Sequence, residues 1–376
     1  MKIALVHDYL NEFGGAERVL LALSEIYPEA VIYTAFYKQG SAGYERFKDK
    51  KIVTSWVHRI PFFAGKLHSP LRFLALLIWK NWDLSDYDVV ISSASWYVTK
   101  GFGVRGSKKK KPMEICYCHT PPRWLYGYAT SIEWQKYWPV KIYAGIVGYF
   151  MRQYDFKAAQ KVDEFIANSE NVKKRIAKFY RRKAKVIYPP VSLPLTGETG
   201  PPVKKEDYYL VISRIVGGKG LDLAVKAADK FGFKLKIVGK AAGYGQELDR
   251  LKKIAKGKVE FIGEASDEKL VELYSKARAF LALAKDEDFG ITPVEAMLCG
   301  TEVVAYRGGG YLETVVDGKT GVFFDRLTVE SLGRAIKRLE KMKIKKRDCI
   351  KQAKKFSKER FKRKIKEFVF QKAKKA

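Results

Sequence analysis

The chain has 376 residues, 47% of them hydrophobic, and a formal charge of +31. That length leaves room for two domains with separate cores, and no apolar run reaches the roughly 18 residues of a membrane-spanning helix. Four cysteines at irregular spacing form no disulfide framework, and Cys116 and Cys118 have no second pair with which to build a zinc site. A reducing, cytosolic compartment is the expectation. No signal peptide is expected, because residues 1–6 already read as a strand.

Residues 2–7 form that first strand and lead through Gly14 and Gly15 into a helix over 16–27, apolar at helical spacing. Strand, Gly-Gly loop and helix is the form of a loop where backbone approaches phosphate. The G-x-G-x-x-G spacing is missing, so this is no dinucleotide fingerprint. Short β-branched runs at 31–34, 52–54, 88–93, 114–118, 164–169 and 185–190 alternate with helical segments. They predict a parallel sheet covered on both faces. Two aromatic segments, 60–82 and 134–152, interrupt the pattern. Tryptophan, tyrosine and lysine around an apolar stripe suit a membrane interface, and core packing is the alternative.

The charge is unevenly spread. Residues 1–190 hold 31 basic against 16 acidic side chains, residues 191–340 hold 24 against 22, and residues 341–376 hold 17 against 3. The basic ends predict attraction to a polyanion. An anionic membrane surface is favoured over nucleic acid, since no nucleic-acid module is recognised.

Residues 191–206, rich in proline and glycine, read as a linker. A second α/β domain follows, with strands expected at 207–213, 234–239, 259–263, 279–283, 302–305 and 321–324. Its most informative stretch is 285–300. A buried strand runs into an acidic loop, Gly290 allows a tight turn, and Pro293 falls in the first turn of a helix. A helix N-terminus suits phosphate. Glu287 and Glu295 flank it, and carboxylates there suit sugar hydroxyls instead. A ligand with both groups is a sugar nucleotide.

These motifs, in this order, resemble the retaining glycosyltransferases of family 4 along the whole chain, and within them the bacterial and archaeal mannosyltransferases of surface-polysaccharide assembly. The resemblance rests on Glu287 and Glu295 with Phe289 and Gly290 between them, and on Ser213, Arg214, Lys219 and Gly220. The runs 306–315, 318–321, 117–123 and 14–17 support it. It implies an α/β architecture of the GT-B type: two Rossmann-like domains facing across a cleft, with a C-terminal helix crossing back to the N-terminal domain. The corresponding boundaries are 1–190 for the acceptor domain, 191–206 for the linker, 207–352 for the nucleotide-sugar domain and 353–376 for the basic returning helix.

The resemblance also assigns roles. Arg214 and Lys219 would hold the diphosphate and stabilise the departing nucleotide. Glu287 would accept hydrogen bonds from the donor sugar and Glu295 from the ribose, while N–H groups near Gly290, Ile291 and Thr292 add phosphate contacts. Gly14 and Gly15 would approach the phosphate or acceptor, and His119 matches the family's active-site histidine. The implied reaction moves a hexose, in the leading reading mannose from GDP-mannose, to a lipid-linked or glycan acceptor. The acceptor hydroxyl attacks from the face the phosphate leaves, so Glu287 is not a nucleophile. No metal or other cofactor is expected, because the two cations neutralise the phosphates. Asp86 and Asp88, like Asp286 and Asp288, only mimic a metal-binding pair. Glu302 departs from the family's usual proline, and Gly217 with Gly218 loosens the Arg214–Lys219 loop.

Adding both basic ends to the acceptor side places the enzyme peripherally on the cytoplasmic face of the membrane, with anionic lipid and a lipid-linked saccharide as partners. The alternatives are a sugar-nucleotide epimerase of the same architecture and a non-catalytic sugar- or nucleic-acid-binding protein.

Overall fold

The computed structural model describes residues 1–102, 111–128, 138–195, 204–241 and 246–374. Residues 196–203 of the expected linker, residues 134–137 of the second aromatic segment and residues 375–376 lie outside them. The described chain divides into two compact units: residues 1–190 with the terminal helix from 358, and residues 191–357.

In the first unit seven described strands form one parallel sheet: β1 (Ile3–His7), β2 (Val31–Thr34), β3 (Ile52–Thr54), β4 (Val89–Ala94), β5 (Met113–Cys118), β6 (Glu164–Ala167) and β7 (Lys185–Val186). Their order is β3-β2-β1-β4-β5-β6-β7. Every residue of β1 and β4 is buried, as near-continuous apolar runs require when helices cover both faces.

The second unit repeats the plan with β8 (Tyr209–Ile212), β9 (Leu235–Val238), β10 (Val259–Gly263), β11 (Ala279–Ala282), β12 (Val303–Tyr306) and β13 (Gly321–Phe324), ordered β10-β9-β8-β11-β12-β13. Both are Rossmann-like sheets. In each, the strand order reverses between two neighbours, β1 and β4 or β8 and β11. Loops leaving the carboxyl ends of such a pair diverge and open a crevice, where doubly wound sheets bind ligands. This point of divergence organises both halves.

The terminal helix Lys358–Ala373 belongs to the first unit. Its Phe361, Ile365, Phe368 and Val369 are buried with Leu5, Val19, Leu23 and Ile115. Lys358 and Lys362 each reach Glu25 at 2.6 Å. Residues 341–357, eight basic and one acidic, stay with the second unit. The terminal charge is therefore shared between the halves, against the expectation that all of it joins the first.

The segment 60–82, expected at a membrane interface, instead supplies core. Phe63, Ala75, Ile78 and Trp79 are buried with Val6, Phe36 and Val90. Short helical turns, Phe63–Leu67, Arg72–Leu74 and Ala75–Ile78, turn these residues inward, while Phe62 and Leu77 stay exposed. Proximity to a hydrophobic sheet face outweighs the segment's cations, which stay at its edge. No described helix is long and apolar enough to cross a membrane.

Candidate active site

In the second unit, the loops after β8 and β11 carry the expected residues. Gly220 lies at φ +72°, where an added Cβ would meet the Leu283 carbonyl at 2.7 Å, so the loop after β8 presses onto the end of β11. That approach brings Lys219 to Glu287: Nζ donates to Oε2 at 2.9 Å. Both side chains remain partly accessible. Arg214 is exposed at the head of the same loop, and its carbonyl accepts from the Val216 N–H at 3.0 Å.

Past Glu287, Gly290 caps the helix Ile291–Leu298 in a left-handed conformation, φ +90°. The helix thereby starts at the point of divergence, with the N–H groups of Ile291 and Thr292 in its first turn. A second strap holds the acidic loop from outside: the Gly310 N–H donates to the Glu287 carbonyl at 2.9 Å. At Gly309 and Gly310 any Cβ would collide with the backbone of residues 287–289.

Glu295 behaves differently from Glu287. It is 4% exposed, and its Oε2 accepts from the Tyr274 hydroxyl at 2.8 Å. The structure thus separates the two carboxylates: Glu287 faces a cation near the surface, Glu295 a buried phenol.

In the first unit, His7 ends β1 and Ser93 stands beside it in β4, in register. His7 Nδ1 and Ser93 Oγ are 3.0 Å apart. Ser93 Oγ lies 2.8 Å from Nε2 of His119, which follows β5. On its other side, His7 Nε2 lies 3.4 Å from Glu17 Oε1, while Glu17 Oε2 accepts the Gly14 N–H at 2.8 Å. The Gly14–Gly15 loop and His119, separate motifs in the sequence, are joined by one buried network. Burial, with His7 adding to it, holds His119 down to about 4, so the ring is neutral at physiological pH. Burial would raise the Glu17 carboxyl, but the bond and charge of His7 and the N–H groups of Gly14 and Glu17 outweigh it and hold the group below its usual range.

Asp8 stabilises the neighbouring loop. Its Oδ2 accepts from the Ser95 N–H at 3.0 Å, the Ser95 hydroxyl at 2.7 Å and the Trp96 N–H at 2.6 Å, and its Oδ1 from the Thr99 hydroxyl. His7, Ser93 and Tyr274 escaped sequence reasoning, while Glu17, Gly309 and Gly310 entered only within the runs 14–17 and 306–315, with no role assigned. For His7 a signal existed: it is the last residue of a strand next to a glycine loop. For Ser93 there was none, because register is a tertiary property.

The chain was compared with known proteins. Residues 13–194 match the family model described as glycosyltransferase family 4, and residues 198–356 match that of glycosyl transferases group 1. An uncharacterised glycosyltransferase of Methanocaldococcus jannaschii is 26% identical over 175 residues, which is 46% of this chain and 49% of that protein. The chain thus spans about half the length of that relative. An alpha-1,3/1,6-mannosyltransferase of Schizosaccharomyces pombe is 24% identical, over 85% of this chain and 70% of its own. Among solved structures, Anabaena HepE in complex with UDP-glucose superimposes with a TM-score of 0.73 at 18% identity, covering 99% of this chain and 100% of the other.

Proposed function

Because the chain belongs to glycosyltransferase family 4, we propose that it transfers a hexose from a nucleotide sugar to a lipid-linked or glycan acceptor with retention of configuration. The observation that carries this reading is the Lys219–Glu287 pair, beside a helix N-terminus at the divergence of β8 and β11. A diphosphate there finds the Lys219 cation, Arg214 on the same loop and N–H groups at the start of helix 291–298. Glu287, released from Lys219 as phosphate takes the cation, accepts from sugar hydroxyls. As the glycosidic bond breaks, negative charge grows on the leaving phosphate, and the two cations stabilise it without a metal. The acceptor hydroxyl passes its proton to the phosphate oxygen on the same face.

Mannose from GDP-mannose is the leading donor. The mannosyltransferase relative supports the sugar, whereas the structural neighbour holds UDP-glucose, so base and sugar are separate questions. Titration with GDP and UDP, followed by turnover of GDP-mannose, UDP-glucose and related donors, answers both. GDP binding with mannose transfer is expected. Failure to bind either diphosphate would overturn the reading.

The helix Trp138–Lys161 supports a membrane location for the acceptor. Its inner face buries Met151, Ala158 and Ala159. Its outer face leaves Trp138, Ile142, Ile146, Tyr149 and Phe150 more than half exposed, a stripe at helical spacing. Exposed Lys141, Arg152, Lys157 and Lys161 border it. The only acid on the helix, Asp155, is buried and paired with Lys100 at 2.5 Å. An apolar stripe with cations at its margins and no exposed acid fits an anionic lipid surface. A second copy of so basic a chain would be repelled. We therefore place the enzyme peripherally on the cytoplasmic membrane face.

Wild-type protein is expected to co-sediment with anionic vesicles, less so at high salt, and weakly with neutral ones. Ile142→Glu and Phe150→Glu should each reduce binding roughly tenfold or more while leaving Tm unchanged, since both side chains are exposed. Equal binding to anionic and neutral vesicles, or no loss in either variant, would refute the membrane assignment.

A further inference from the structure

Glu17, His7, Ser93 and His119 form an unbroken chain of polar contacts at 3.4, 3.0 and 2.8 Å. His7 and Ser93 are 1% and 0% exposed, so no water competes with these links. The polarity of each link follows from the first. An ionised carboxylate only accepts, so Nε2 of His7 must donate to Glu17. Where His7 carries a single ring proton, held at Nε2, its Nδ1 is a lone pair and takes the Ser93 hydroxyl proton. Having given its only proton, Ser93 Oγ accepts from His119, which must then be protonated at Nε2.

We propose that Glu17, His7 and Ser93 are positioning residues that set the tautomer of His119, leaving its Nδ1 as a hydrogen-bond acceptor for a ligand hydroxyl at the end of β5. The proposal rests on the glycosyltransferase reading only for the identity of that hydroxyl. A second proton on His7 reverses the chain. Nδ1 of His7 then donates to Ser93, Ser93 donates to Nε2 of His119, and the His119 proton moves to Nδ1, which becomes a donor. His119 stays neutral throughout; only the polarity of its free nitrogen changes.

The charged groups around His7 are few. Glu17 comes from helix Gly15–Ile26, the neutral His119 from the loop after β5, and Asp8 follows His7 just past β1 with both oxygens engaged. Glu17 is therefore the carboxylate in direct contact with His7. Gly14 shares that carboxylate, so the glycine loop and the tautomer of His119 are linked through one group.

The test uses full-length protein with ¹⁵N-labelled histidine. Long-range proton–nitrogen spectra at neutral pH are expected to show His119 protonated at Nε2 in the wild type and a mixed tautomer in Ser93→Ala. Glu17→Gln, an isosteric change, should also mix the tautomers, because an amide can donate as well as accept. Ser93→Thr, which keeps the hydroxyl, should restore the wild-type spectrum. In transfer assays Ser93→Ala should lose about tenfold in kcat/KM, the worth of one hydrogen bond.

Protonation of His119 at Nδ1 in the wild type, or spectra unchanged in both Ser93→Ala and Glu17→Gln, would overturn the proposal. The expected spectra in a protein that turns over no nucleotide sugar would leave the relay standing and remove the transferase reading.

Discussion

Replacing Lys219 by alanine is expected to lower kcat/KM for the nucleotide-sugar donor by about 10²–10³-fold, the usual effect of deleting one group that stabilises charge in the transition state. Two consequences combine. The cation that would meet the leaving diphosphate is gone, and Glu287 loses its 2.9 Å contact with Lys219. Stability should hardly change, because a partly exposed pair contributes less than about 1 kcal/mol. Lys219→Arg keeps the charge but brings a wider planar group and should recover only part of the rate. Glu287→Gln should also cost rate, and the double variant should lose less than the two single losses multiplied together, since the side chains act as one unit. Steady-state kinetics with Tm as control decide the matter. Turnover within a few-fold of wild type in Lys219→Ala would remove this pair from the chemistry.

The second large effect is expected at a residue with no chemistry of its own. An alanine Cβ at Gly310 would lie 2.5 Å from the Phe289 carbonyl oxygen and 2.6 Å from that of Asp288. These are backbone atoms and cannot swing aside, so the acidic loop must move. A shift near 1 Å can cost roughly 10²-fold in rate, while overpacking costs about 1–3 kcal/mol of stability. Activity should therefore fall further than the loss of folded protein explains.

Gly318→Ala is the control. Gly318 has φ +75°, and its Cβ would meet nothing nearer than Met342 at 3.6 Å. It bears backbone strain of roughly 1–2 kcal/mol without pushing on the site. If Gly310→Ala and Gly318→Ala lose activity in step with their Tm, the strap does not position Glu287.

Much of the chain was legible from its residues. Apolar β-branched runs located the strands of both sheets because a strand buried on two faces has no polar positions to disguise it. The strand-to-helix junction that carries Glu287 and Gly290 was legible from its glycine and charge, while Lys219 was singled out through the family resemblance. The return of helix 358–373 to the first unit was implied by the family resemblance, and there Phe361, Ile365 and Phe368 enter the core.

Other features depended on contacts distant in sequence. Residues 60–82 and 138–161 have similar compositions, yet one fills a core and the other leaves its apolar face open. Composition counts apolar side chains, whereas burial depends on whether a sheet face lies within reach. Glu287 and Glu295 were given different ligand groups by resemblance, but only packing shows one set against Lys219 and the other against Tyr274. His7, Ser93 and His119 are spread over more than a hundred residues and meet because β1, β4 and β5 lie side by side in register. The sequence by itself determined which segments become strands and which residues can carry charge to a ligand, since both follow from local chemistry. Tertiary structure alone decided which of those residues touch, because strand order and register arise from the packing of the whole sheet.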